Sequence, residues 1–272
     1  MKFENIKVMN FEGALRGMRN PKNSWDRSDS HFGLSSIEYD DTWAEEIAYR
    51  WVEANYPGCV QGSEEFEEKA DYYMDWLIKN GVLNMNLDDF IIEHAYIGPK
   101  DMKLAKQLVS GGSPHDKFLR QIFITIDITA PLYWWKEMDT YKVATVANST
   151  STMHKLASTP ITLDCFEIDD YDRDAANIGE GTTSDIKSFY ETLVIPHLEQ
   201  LRKKYLETND KRYWKELVRW LPEGWLQTRT WTANYATLRE IYKWRKNHKL
   251  TEWHQFCKCL ETLPYANEFI IN

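Results

Sequence analysis

The residues most able to do chemistry in this chain are scattered cations, acids and thiols, without a compact catalytic signature. Residues 13–30 carry Arg16, Arg19, Lys22 and Arg27 amid Gly, Pro, Asn and Ser, with Trp25 embedded. In an acidic protein this is a local concentration of positive charge on an expected turn. Guanidinium forks suit phosphate and carboxylate oxygens, so one reading is an anion clamp. The plainer reading is a solvated loop whose arginines pair with Asp26 and Asp29. Residues 164–174 hold Asp164, Glu167, Asp169, Asp170, Asp172 and Asp174. Hard cations take carboxylate oxygens, but the spacing of a calcium loop is absent, and a solvated acidic loop is the favoured reading. Cys59, Cys165, Cys257 and Cys259 lack metal-site or redox spacing and read as reduced thiols. His94 reads as a structural histidine. His115, after Gly111-Gly112, suits a helix cap or a ligand equally.

The segment that would position a site is residues 115–153. Residues 122–129 place apolar side chains at every even position, the period of a strand with one buried face. Ala130-Pro131 ends it, because proline donates no ladder hydrogen bond. A helix-forming stretch around Trp134-Trp135 follows, then a small-residue tract from Ala144 to Thr152. Upstream, residues 5–9 suit a short strand, and residues 41–57 and 63–81 suit helices with acidic first turns. Tyr72, Tyr73, Trp76 and Leu77 recur at helical spacing and read as core. Residues 82–98 fit strand and helix equally well, and residues 100–109 a short helix. Downstream, residues 183–208 read as one long helix that Pro196 should kink or interrupt, and residues 210–220 as a second.

The chain has 272 residues, 43% hydrophobic and 28% charged, with a net charge of −9. That balance allows a sizeable core and argues against nonspecific nucleic-acid binding. Apolar runs fall short of a membrane span, and the first residues lack a signal-peptide core. A cytoplasmic location is the expectation.

The central stretch resembles the flavin-dependent thymidylate synthases. In that family a strand runs into Ala-Pro, followed by Arg-His-Arg and Ser-x-Asn-Glu. Aligned without gaps, Ala130-Pro131 fits the turn, Thr140-Tyr141-Lys142 replaces Arg-His-Arg, and Thr145-Val146-Ala147-Asn148 replaces Ser-x-Asn-Glu. Upstream, only His115 survives of the family's Gly-His-x-Ser/Thr-x-x-Glu-His. Downstream, Leu221-Pro222 precedes Trp231-Thr232-Ala233-Asn234 at the family spacing, and Arg245 falls where a later helix arginine is expected. The family's arginine before Leu-Pro becomes Val218, and its Asn-x-Arg becomes Asn234-Tyr235-Ala236.

The resemblance implies an α+β fold, a central and largely antiparallel sheet flanked by long helices. It implies one domain over residues 1–272, with a helical part at about 41–112 and a core at 113–272. It also implies reductive C5 methylation of a pyrimidine nucleotide by FAD and a folate donor, in a homotetramer. By that resemblance His115, Lys136, Lys142, Asn148 and Asn234 would contact the cofactor. Ser151, His154 and Arg245 would contact the substrate, and the basic loop with Arg16 and Arg19, read from its composition, would supply replacement contacts. The replaced arginines argue against orthodox activity, since Val and Ala cannot stand in for a bidentate guanidinium. A diverged enzyme making a C5 methyl or hydroxymethyl transfer is the first reading. A noncatalytic protein on the same scaffold is the alternative, and orthodox thymidylate synthesis comes third.

Overall fold

A computed structural model describes residues 1–36, 41–79, 83–86, 91–152, 155–168 and 186–272. In chain order these form β1 (Lys2–Met9), α1 (Phe11–Arg19), β2 (His31–Ser36), α2 (Asp41–Asn55), α3 (Glu64–Lys79), β3 (Leu83–Asn86), β4 (Ile91–Tyr96) and α4 (Pro99–Ser110). Then come β5 (Phe123–Pro131), α5 (Leu132–Met138), β6 (Val146–Ser149), α6 (Ile186–Phe189), α7 (Ile195–Thr208), α8 (Lys211–Arg219), β7 (Leu226–Asn234), α9 (Tyr235–Arg245) and α10 (Thr251–Glu261). The architecture is α+β, with one sheet of four strands and one of three. Two compact units divide the chain. One holds residues 1–7 and 125–233, the other residues 8–124 and 234–272.

The first unit carries the four-stranded sheet, in the order β1-β5-β7-β6. The alternation read from residues 122–129 is what β5 shows: Ile124, Ile126, Ile128 and Ala130 are fully buried, with Thr125, Asp127 and Thr129 half-buried between them. Each buried isoleucine contributes about 1.5–3 kcal/mol. Side-chain pairs Thr125–Thr232, Asp127–Thr230 and Thr129–Thr228 run in opposite residue order, so β5 and β7 are antiparallel. The edge strand β6 is antiparallel to β7, with Asn148 opposite Thr230. Trp134 and Trp135 of α5 are wholly buried, and the Trp135 indole N–H donates to the Gln227 carbonyl at 2.9 Å. A second cluster joins Leu156, Ile161, Phe166, Tyr190, Leu198 and Leu217. Around Pro196 the long helix is distorted rather than broken: a π-helical turn, Tyr190–Val194, joins α6 to α7, with proline just after it.

The second unit carries the antiparallel sheet β2-β4-β3, so residues 83–86 and 91–96 resolve to strands. Helices α2 and α3 meet through Trp51 stacked on Tyr73, ring centroids 4.3 Å apart. Tyr73 and Leu77 are core as expected, and Trp76 is half-buried. Tyr72 points outward, 67% exposed, because it falls on the opposite side of the α3 turn. Residues 13–19 are not a turn but most of α1, which buries Phe11, Ala14, Leu15, Met18 and Arg19. Gly13 and Gly17 are close-approach positions within that helix. A Cβ at Gly13 would collide with Asn10 Oδ1, and one at Gly17 would stand 2.5 Å from Gln121 Oε1.

Candidate functional site

Two landmarks that are distant in sequence meet in the first unit. Pro131 precedes α5 and offers no side-chain acceptor to its first turn. The orphan N–H groups of that turn are satisfied from the segment after Leu221-Pro222. Leu132 N–H donates to the Trp225 carbonyl at 3.1 Å and Tyr133 N–H to the Glu223 carbonyl at 3.2 Å. Trp225 N–H in turn donates to the Pro222 carbonyl. Lys136 Nζ pairs with Glu223 at 2.5 Å, both side chains being more than half exposed. Lys136 thus has an internal carboxylate partner.

Beyond α5 the chain presents Lys142 on an exposed turn and Asn148 on the edge strand. Among the described residues neither side chain has a hydrogen-bond partner. Ser151 follows, half-buried. Asn148 extends a polar row across the sheet. Asn5 Nδ2 donates to Asp127 Oδ2 at 2.7 Å, and Thr230 Oγ1 donates to Asp127 Oδ1 at 2.5 Å. Those two bonds, Thr230 first, hold the Asp127 carboxyl below its ordinary range. Flanking it, Thr125 pairs with Thr232 and Thr129 with Thr228. The sequence carried this signal in the polar odd positions of β5 and the threonines of residues 228–232. Arg229 was also passed over. Its guanidinium lies 4.3 Å from the Trp135 ring centroid, and it bonds Asp139 at 2.7 Å and Gln227 Oε1 at 3.0 Å.

In the second unit the expected ligand residues are mostly occupied. Arg19 is 6% exposed and its donors are spent. Nε meets Asp101, and the terminal nitrogens meet the Ser24 and Arg27 carbonyls. Neither Asp26 nor Asp29 is its partner. Asp29 instead accepts the Lys100 and Asp101 N–H groups at the start of α4, while Ser28 and Ser30 hydroxyls donate to Asp101. Arg19 is therefore corrected from a substrate clamp to a buried structural cation, since a guanidinium with these partners has little left to offer a ligand. Asn234 is 4% exposed, and its Oδ1 caps α9 by accepting Thr237 N–H at 2.9 Å. That is a structural cap worth about 1 kcal/mol. Arg245 stacks over Trp253 at 4.5 Å. Arg16 and His115 are exposed.

His154 and residues 169–174 of the acidic tract lie outside the described residues. Among the described residues no group of three or more metal-ligating side chains gathers, and no helix is long and apolar enough to cross a membrane. All four cysteines are free. Burial pushes the Cys257 and Cys259 thiols up to about 11, which makes them poor nucleophiles at neutral pH.

No family model matches this chain, and no curated protein matches it. Two solved structures of the flavin-dependent thymidylate synthase ThyX from Helicobacter pylori, each with FAD and dUMP, are similar to it. Each is 14% identical with a TM-score of 0.46; they cover 88% and 90% of this chain, and 97% of their own. Likeness at this level assigns no activity.

Proposed function

We propose that the chain is a diverged flavin-dependent thymidylate synthase-like protein that binds a flavin and a pyrimidine nucleotide without orthodox turnover of dUMP. One observation carries this reading. The Ala130-Pro131 and Leu221-Pro222 landmarks, picked out by the family resemblance, are joined by hydrogen bonds from the first turn of α5. They leave Lys142 and Asn148 exposed just beyond. A lysine and an amide fit one phosphate contact and one ring amide; they do not replace the family's paired guanidiniums. Flavin would supply the reducing electrons, and Lys142 and Asn148 would bind and orient it. A folate donor and a homotetramer belong to the same reading.

Each absent charged contact removes about 1.5–3 kcal/mol. Val218 and Ala236 together therefore make dUMP a poor ligand. The test is thermal unfolding of the purified chain with FAD and with a panel of pyrimidine nucleotides, read beside its visible absorption. Flavin bands, or a shift with FAD that Lys142→Glu removes, are the expected results. A colourless chain that shifts with nothing in the panel overturns the proposal.

A second reading has its own support: a noncatalytic protein on this scaffold. Arg19, Asn234 and Lys136 are engaged within the fold, which is how a scaffold that has shed its ligands would use them. The same absence of any shift favours it.

A further inference from the structure

A second basic segment has no role in that reading. Residues 243–258 hold Lys243, Arg245, Lys246, Lys249 and Lys258 against the single acid Glu252, which is buried. Their net charge is +4 in a chain of −9. Trp244 stands in this run, 66% exposed. It lies at the outer face of α9 beside Lys243, whose Nζ is 5.2 Å from the indole centroid, and its indole N–H donates to Glu240 Oε2 at 3.3 Å. Cations in the last turn of a helix complement its dipole, which accounts for Lys243 and Arg245. It does not account for Lys246 and Lys249 beyond the helix, nor for an outward indole among them.

The segment is also held in one shape. Lys246 N–H donates to the Tyr242 carbonyl and His248 N–H to the Arg245 carbonyl. Leu250 N–H donates to His248 Nδ1 at 3.2 Å. Arg245 stacks on Trp253 beneath, so the turn projects Lys246 and Lys249 from a fixed base. Binding would therefore cost little ordering of the backbone.

We propose that Trp244 with Lys243, Lys246 and Lys249 forms a binding site for single-stranded nucleic acid. A base stacks on the indole and the lysines neutralise neighbouring phosphates. Single strands are favoured because a lone exposed ring offers a π-face to an unpaired base, whereas a duplex presents only backbone and groove edges. The chain's overall negative charge opposes attraction elsewhere on the surface, so contact is confined to this patch. The site stands independently of any flavin or nucleotide bound to the first unit.

The test is fluorescence anisotropy of a labelled oligothymidylate of about 12 nucleotides, within the range one small site covers. The full chain is titrated at low salt. Saturable binding is expected, with Trp244→Ala weakening it on the order of tenfold and Trp244→Phe, which keeps a π-face, close to the parent. Replacing Lys246 and Lys249 together by Glu should lower the salt slope by about 0.7 for each phosphate no longer neutralised. Thermal unfolding checks that each variant is folded. Four results overturn the proposal: no binding at low salt; equal binding of a duplex; a folded Trp244→Ala that binds like the parent; or retention on anionic vesicles without any on the oligonucleotide.

Discussion

Two basic segments of this acidic chain differ in one respect: the first turns Arg19 inward while Arg16, Lys22 and Arg27 stay outside, and the second keeps all its lysines outside. In residues 13–30, Arg19 turns inward to Asp101, and two serine hydroxyls complete that carboxylate's shell. In residues 243–249, the lysines and Trp244 face solvent. Both look alike as composition: cations, one tryptophan and polar spacers. The difference lies in which helix face each cation occupies. Arg19 shares the buried side of α1 with Leu15 and Met18, whereas Lys243 and Trp244 sit opposite the buried Leu238, Ile241 and Tyr242 of α9. Positive charge on a sequence becomes a binding surface only where packing leaves it outside.

The contrast can be broken or sharpened by substitution, starting with the largest effect. Asp101→Asn leaves the Arg19 guanidinium buried without its counter-charge and should cost about 3–5 kcal/mol, measured by denaturant unfolding. A loss below about 1 kcal/mol would mean that the inward segment is no more structural than the outward one.

A pair in the other unit extends the test to pH. The Arg202 hydrogen bond holds the Glu199 carboxyl below its ordinary value, and Ile161 N–H also donates to it. A depressed folded value stabilises above the ordinary carboxylate range and is lost as pH falls through it. Glu199→Gln should therefore flatten the acid side of a stability–pH curve while changing its shape little near neutrality. An acid limb as steep as the parent's would show that this pair is not what acid titrates.

Ser28→Ala removes one of the two hydroxyls on Asp101 and should cost about 1–2 kcal/mol, a smaller effect because Ser30 and Arg19 remain. Smallest of all, Lys246→Glu with Lys249→Glu should shift unfolding by under about 0.5 kcal/mol. A large loss there would make the outward segment structural and remove the contrast.

Much of this was legible in the sequence. Residues 122–129 announced their buried face because strand period and burial coincide, and Pro196 announced the distortion before α7. Helix α1 was not legible: Gly13 and Gly17 signal turns by composition, yet both stand within the helix, and Gly17 lies close against the Gln121 side chain. Contacts of that kind depend on partners far along the chain. For the same reason Arg19 read as a ligand contact, since its partner Asp101 lies eighty-two residues away. Asn234 matched a family landmark by spacing, but in the fold its amide oxygen is committed to Thr237. The joining of Pro131's helix to the Pro222 segment was likewise invisible, though both prolines stood out.

The Asp29 carboxylate holds the amide hydrogens of Lys100 and Asp101 with its two oxygens. Those hydrogens cannot exchange with deuterium while the 24–30 segment is seated. Their exchange rates therefore act as a remote gauge of a segment seventy residues upstream. Any event that lifts it should unlock both amides together, while the later turns of α4 stay protected.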